Sequence, residues 1–138
     1  MLSGLKSLFE KPDFGNLVIR IGIGLTFIAL GIPKFIGGVS EWTAIGGAMS
    51  KIGLPLSAFY PAFGLAAALA EVLGGLAILI GFGFRTAAFF LFFTMIVATA
   101  TQFPLGDPWF KFLWPASMAF YFFGAMFTGP GSLSVQKG

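Results

Sequence analysis

From Ile52 to Phe84 the chain carries a single charged side chain, Glu71, in a run made mostly of Ala, Leu, Gly, Phe and Ile. A stretch this long and this apolar has few ways to fold. In water it needs protein packed on every face; in a bilayer it needs only its own backbone hydrogen bonds, which a helix supplies. Charged residues make up 9% of the chain, against roughly 25% in a soluble domain, so the sequence reads as an integral membrane protein. Its 138 residues hold about four spanning helices of roughly 20 residues each, with no room for a separate soluble domain. The apolar runs are continuous and do not alternate every second residue, which argues against an outer-membrane barrel.

Gly and Pro punctuate the runs and predict four spans, at about 16–36, 57–80, 85–102 and 109–127. The expected fold is all-α: one domain over 1–138, an integral membrane four-helix bundle with a short interfacial helix between spans one and two. Leu2, Leu5, Leu8 and Phe9 put one apolar face on an interfacial lead. Pro12 and Asp13 precede the first run and no small-residue cleavage site follows, so the first span is read as uncleaved. Pro33 is expected to kink or end it. After Gly37-Gly38, Ser40 is a candidate N-cap. Trp42, Ile45, Met49 and Ile52 then repeat at helical spacing over a length too short to span, which predicts a helix on the membrane surface near Ser40–Lys51. Trp109 and Trp114 mark an aromatic belt. Lys6, Lys11, Arg20, Arg85 and Lys137 fall on one side and Lys34, Lys51 and Lys111 on the other, favouring both termini in the cytoplasm.

A carboxylate in hydrocarbon costs about 2.5–3.5 kcal/mol even on lenient insertion scales, so Glu71 is expected to face the bundle interior. Counting rise per residue from the span ends places Glu71 roughly 13 Å, and Arg20 roughly 6 Å, from the cytoplasmic side. The reading is therefore a Glu71–Arg20 pair lining a cavity, with Arg85 approaching from below and Lys34 a poorer partner near the opposite surface. The alternative is a polar contact that serves helix packing alone. Thr94, Thr101 and Gln102 share one side of span three as a candidate pocket lining, although a Thr in a spanning helix often bonds back to its own backbone.

Chemistry is bounded by what is missing. The chain has no Cys and no His, which removes thiol catalysis, Cys-ligated clusters, structural zinc, disulfides and His-ligated haem. No catalytic residue, no metal site and no cofactor bound covalently or through His or Cys is expected. The net charge of +3 is spread along the chain, with no basic block for nucleic acid. The 19 Phe residues exceed what a four-helix core needs and suit outward contact with helices, lipids or ring systems.

Several pieces in order give the chain a likeness. Arg20-x-Gly22-x-Gly24 with Phe27, Gly31-Ile32-Pro33-Lys34-Phe35, Gly53-Leu54-Pro55, Glu71-x-x-Gly74-Gly75, Gly81-x-x-x-Arg85 and Gly129-Pro130-Gly131-Ser132-Leu133-Ser134 resemble the DoxX family of small four-helix membrane proteins. The resemblance covers about 16–134. It implies a bacterial or archaeal inner-membrane protein associated with quinone-linked redox complexes, with other integral membrane proteins and lipids as partners. Many members carry His where this chain has Leu30, so a metal or redox role resting on that His is not expected. The resulting expectation is an accessory, non-catalytic membrane subunit that anchors a redox complex and holds a quinone or lipid. The competing expectation is a small stand-alone oxidoreductase or carrier for a quinone-like or lipid substrate.

Overall fold

The computed structural model describes residues 2–53, 56–102 and 110–135. Among them every regular element is a helix, with no strand. A short helix α1 (Leu2–Phe9) leads into α2 (Pro12–Ile36), then α3 (Gly38–Gly46), α4 (Tyr60–Ile80), α5 (Phe84–Gln102) and α6 (Leu113–Thr128). A 3-10 segment, Gly47–Ile52, extends α3, and a single 3-10 turn, Ser57–Phe59, leads into α4.

Local chemistry sets most of these boundaries. Pro12 occupies the first turn of α2, where its missing N–H is no loss. The helix therefore starts about one turn earlier than the apolar run suggested. It also runs through Pro33 for three more residues to Ile36, so Pro33 does not end it. Gly81 closes α4 in the left-handed conformation, φ +75°, with its N–H on the Ala77 carbonyl. Gly129, φ +73°, stops α6. Trp109 and the loop expected at Pro104–Pro108 lie outside the described residues.

Among the described residues, three segments are long and apolar enough to cross a membrane: Pro12–Ile36, Ser57–Ile80 and Phe84–Gln102. Helix α6 has 16 residues, about 24 Å at 1.5 Å per residue, less than the roughly 30 Å of a hydrocarbon core. Packing runs α2 on α4, α4 on α5 and α5 on α6. Gly24 and Gly75 meet where α2 crosses α4: a Cβ on Gly24 would stand 2.7 Å from the Gly75 carbonyl oxygen. Small residues there let two backbones touch. Phe27, Ile78, Phe84, Leu91, Met95 and Phe122 fill the core between the helices, and Phe27 meets Phe122 edge to face at 5.2 Å.

Helix α3 departs from its expected form. It begins at Gly38, φ +74°, two residues before Ser40, which makes no capping bond. It is also packed along the first turns of α4. A Cβ on Gly46 would collide with the Tyr60 carbonyl, and one on Gly64 with the Trp42 carbonyl. Trp42, from the stripe read as a surface helix, and Gly46 beside it therefore lie against α4.

Candidate functional site

Two arginines sit at one end of the helix packing, and each holds the C-terminus of another helix. The last four carbonyls of an α-helix have no partner within it. In α4 all four are answered. Ala77 accepts from Gly81 N at 2.9 Å, Ile78 from Arg20 Nε at 3.1 Å, Leu79 from Arg20 Nη2 at 3.1 Å, and Ile80 from Val135 N at 3.1 Å. Arg20 Nη1 also donates to the Pro130 and Leu133 carbonyls at 2.9 and 2.8 Å. Arg20 is 2% exposed, and its guanidinium joins α2 to α4 and to the chain after α6. A cation at a helix C-terminus also meets the negative end of its dipole. Arg85 repeats the device from the start of α5, donating through Nη1 to Met126 and Phe127 of α6 at 2.8 and 3.2 Å. Asp13 completes this end by accepting from the backbone N–H and the hydroxyl of Ser132.

Glu71 belongs to the other half of the molecule. Its carboxylate, 3% exposed, accepts two bonds from Lys34 Nζ, at 2.8 and 2.9 Å. The expected Glu71–Arg20 pair is therefore corrected: Arg20 is bound to carbonyls and Lys34 is the partner. The reason is register. Gly31 packs directly on Glu71 and Val72, so Glu71 lies level with Gly31, less than one turn from Lys34. Arg20 is eleven residues from Gly31, about 16 Å along the helix. Counting depth from the span ends missed this. The glycines at 24, 31 and 75 carried the signal, because close-approach residues on two antiparallel helices fix which positions lie opposite.

The pair is braced from α3. Trp42 Nε1 donates to the Lys34 carbonyl at 3.0 Å, and its ring lies 6.3 Å from that of Phe35. The Lys34 side chain remains 31% exposed, so the buried anion connects to the surface through its cation.

Three cavities are described. The first, about 280 Å³, is walled by Asn16, Arg20, Phe84 and the last turns of α6. The second, about 260 Å³, lies between Ile23, Thr26 and Phe27 of α2 and Trp114, Ser117 and Met118 of α6. The third, about 400 Å³, is an apolar recess between α5 and α6 with Thr99 in its wall. Glu71, Arg85, Thr94, Thr101 and Gln102 line none of the three. Thr94 and Thr101 turn their hydroxyls to the Phe90 and Ala98 carbonyls of their own helix, and Gln102 is half-buried at the end of α5. Sequence reasoning ranked Lys34 below Arg20 as a partner for Glu71 and did not single out Asn16, Tyr121 or Thr99. Among the described residues no group of His, Cys, Asp and Glu is placed to hold a metal ion.

The family model described as DoxX matches residues 15–104. That stretch holds Arg20, Lys34, Glu71 and Arg85 and ends before α6. No curated protein and no solved structure matches the chain.

Proposed function

Because this chain belongs to the DoxX family and is a small membrane protein, we propose that it serves as an accessory, non-catalytic subunit of a membrane redox complex. It anchors or organises its partners and holds a quinone or lipid. In this reading α6 is the fourth membrane-crossing element and α3 lies at the interface end of α4. Both termini face the cytoplasm of a bacterial or archaeal inner membrane.

One contrast carries the reading. The ionisable groups drawn into the helix packing are committed to holding helices together: Arg20 and Arg85 to carbonyls, Glu71 to Lys34. Many of the large aromatic groups, in contrast, face outward. Phe89, Phe90 and Phe93 of α5 and Phe120, Phe123 and Phe127 of α6 are exposed and offer flat contact surface to other helices or to rings. A catalytic site needs a base, acid or nucleophile poised for substrate, whereas a scaffold needs a stable interior and an adhesive exterior.

Purification from native membranes in mild detergent, with identification of what accompanies the chain, tests this. Co-purification with redox subunits whose assembly fails when the chain is deleted is the expected result. Oxidation or reduction of a quinone by the isolated chain with only an added donor would overturn the accessory role in favour of a stand-alone oxidoreductase.

A further inference from the structure

The packing has one loose seam. Helices α2 and α6 close the arrangement, yet their backbones stay apart where the other neighbouring helices press together. Phe27 against Phe122 is a side-chain bridge across the gap. The first two cavities lie end to end along this seam. On α2 their walls use Asn16, Arg20, Ile23 and Phe27, at steps of four, three and four, which is one face of one helix. On α6 they use Thr128, Gly124, Tyr121, Met118 and Trp114, again one face.

The seam is polar at one end and apolar at the other. The polar end is at the helix termini, where Arg20, Asn16, Tyr121 and Thr128 gather. Arg20 is a buried cation whose hydrogen-bond partners are all neutral carbonyls. Among the described residues no carboxylate lies within salt-bridge distance of it. Asp13, two turns earlier on the same helix and about 10 Å away along it, is engaged by Ser132. Four of the five N–H donors of a guanidinium are used, which leaves one Nη2 hydrogen. Arg85 adds a second positive charge behind that wall: it does not line the cavity but lies against Gly129, which does. The apolar end is a hydrocarbon-lined slot whose polar groups are only the Thr26 and Ser117 hydroxyls and the Trp114 indole N–H. Both hydroxyls bond back to carbonyls of their own helices.

We propose that the α2–α6 seam binds an anionic phospholipid, its phosphate against Arg20, Asn16 and Tyr121 and an acyl chain along Ile23, Phe27, Met118 and Trp114. A buried cation without a counter-ion favours a ligand that brings negative charge, and phosphate oxygens suit a guanidinium better than any neutral head. A quinone head accepts hydrogen bonds but offsets no charge. The inference deepens the lipid-holding part of the proposed function and rests on it; it is independent of any partner complex.

Gly124 supplies the test. It lies in the wall of the polar cavity, and a Cβ added to it meets nothing within 4 Å, so Gly124→Leu fills the space without a backbone clash. Thermal unfolding of the purified protein in detergent is followed with added phosphatidylglycerol, phosphatidylcholine of the same chains, or a short-chain ubiquinone. Phosphatidylglycerol should raise the unfolding temperature of the parent protein, at a concentration about tenfold or more below that needed for phosphatidylcholine. Gly124→Leu should unfold at the parent temperature without lipid and lose the response. If its lipid-free unfolding temperature falls, Asn16→Leu with Tyr121→Phe takes its place. Phosphatidylglycerol with brominated chains should quench indole fluorescence in the parent and less so in Trp114→Phe. Equal response to the two phospholipids, a stronger response to the quinone, an undiminished response in the filled variant, or quenching as strong in Trp114→Phe as in the parent would each overturn the proposal. A chain that binds phosphatidylglycerol this way yet co-purifies with nothing would retain the seam site and lose only the accessory role.

Discussion

Replacing Lys34 by Met should destabilise the fold more than replacing Glu71 by Gln, although the two residues form one ion pair. The asymmetry comes from burial. Lys34→Met removes both bonds to a carboxylate that is 3% exposed and leaves an uncompensated buried charge, a change worth about 3–5 kcal/mol. Glu71→Gln leaves a neutral amide whose oxygen still accepts from Lys34. The ammonium, on a side chain 31% exposed, can swing toward water or lipid headgroups, so the loss is about 1–2 kcal/mol. Lys34→Met combined with Glu71→Leu removes both charges and should return to within about 1 kcal/mol of the parent, as apolar replacements of buried pairs often do. Unfolding in mixed micelles, followed by circular dichroism at rising denaturing-detergent fraction, gives the three free energies and their coupling. Lys34→Met no worse than Glu71→Gln, or a double variant as unstable as Lys34→Met, would refute the argument that Lys34 is what makes the burial of Glu71 tolerable.

Arg20→Leu should cost at least about 3 kcal/mol, because it orphans carbonyls of Ile78, Leu79, Pro130 and Leu133 together; Arg20→Lys should recover only part, since an ammonium cannot span that fork. The same unfolding titration checks both. Gly64→Ala should destabilise by about 1–3 kcal/mol by driving a methyl into the Trp42 carbonyl, whereas Gly22→Ala, with open space at its Cβ, should be neutral or gain up to about 1 kcal/mol from helix propensity. Arg85→Ala should speed amide hydrogen exchange in the last turn of α6, whose Met126 and Phe127 carbonyls it holds, and leave exchange around Gly31 and Glu71 unchanged.

The sequence made the helices legible because hydrophobic runs and Gly/Pro punctuation act locally. The spans read at 16–36, 57–80 and 85–102 fall on α2, on the Ser57 turn with α4, and on α5. The span read at 109–127 overlaps α6, which is shorter. Partner choice was less legible, because it depends on register between helices far apart in sequence. Depth counted from span ends put Arg20 near Glu71, while Gly24 on Gly75 and Gly31 on Glu71 put Lys34 there. The role of Arg20 had no local signature at all: its partners are backbone carbonyls, which every residue carries. The apolar stripe of α3 did not show how closely the helix presses against α4: Gly46 and Gly64, which look like spacers, are the residues that allow it.

The bond from Arg20 to the Leu133 carbonyl joins residues 113 positions apart, and this orders assembly in time. A ribosome adding roughly 5–20 residues per second finishes α2 on the order of ten seconds before Leu133 exists. Through that interval the first long helix holds a guanidinium whose acceptors have not been made. The α4 carbonyls arrive midway and the Pro130 and Leu133 carbonyls only after α6, so α2 is held in part by residues made more than a hundred positions later. A stop codon placed after Thr128 would keep the residues of every long helix and still strip Arg20 of its bonds to the Pro130 and Leu133 carbonyls, leaving only those to Ile78 and Leu79.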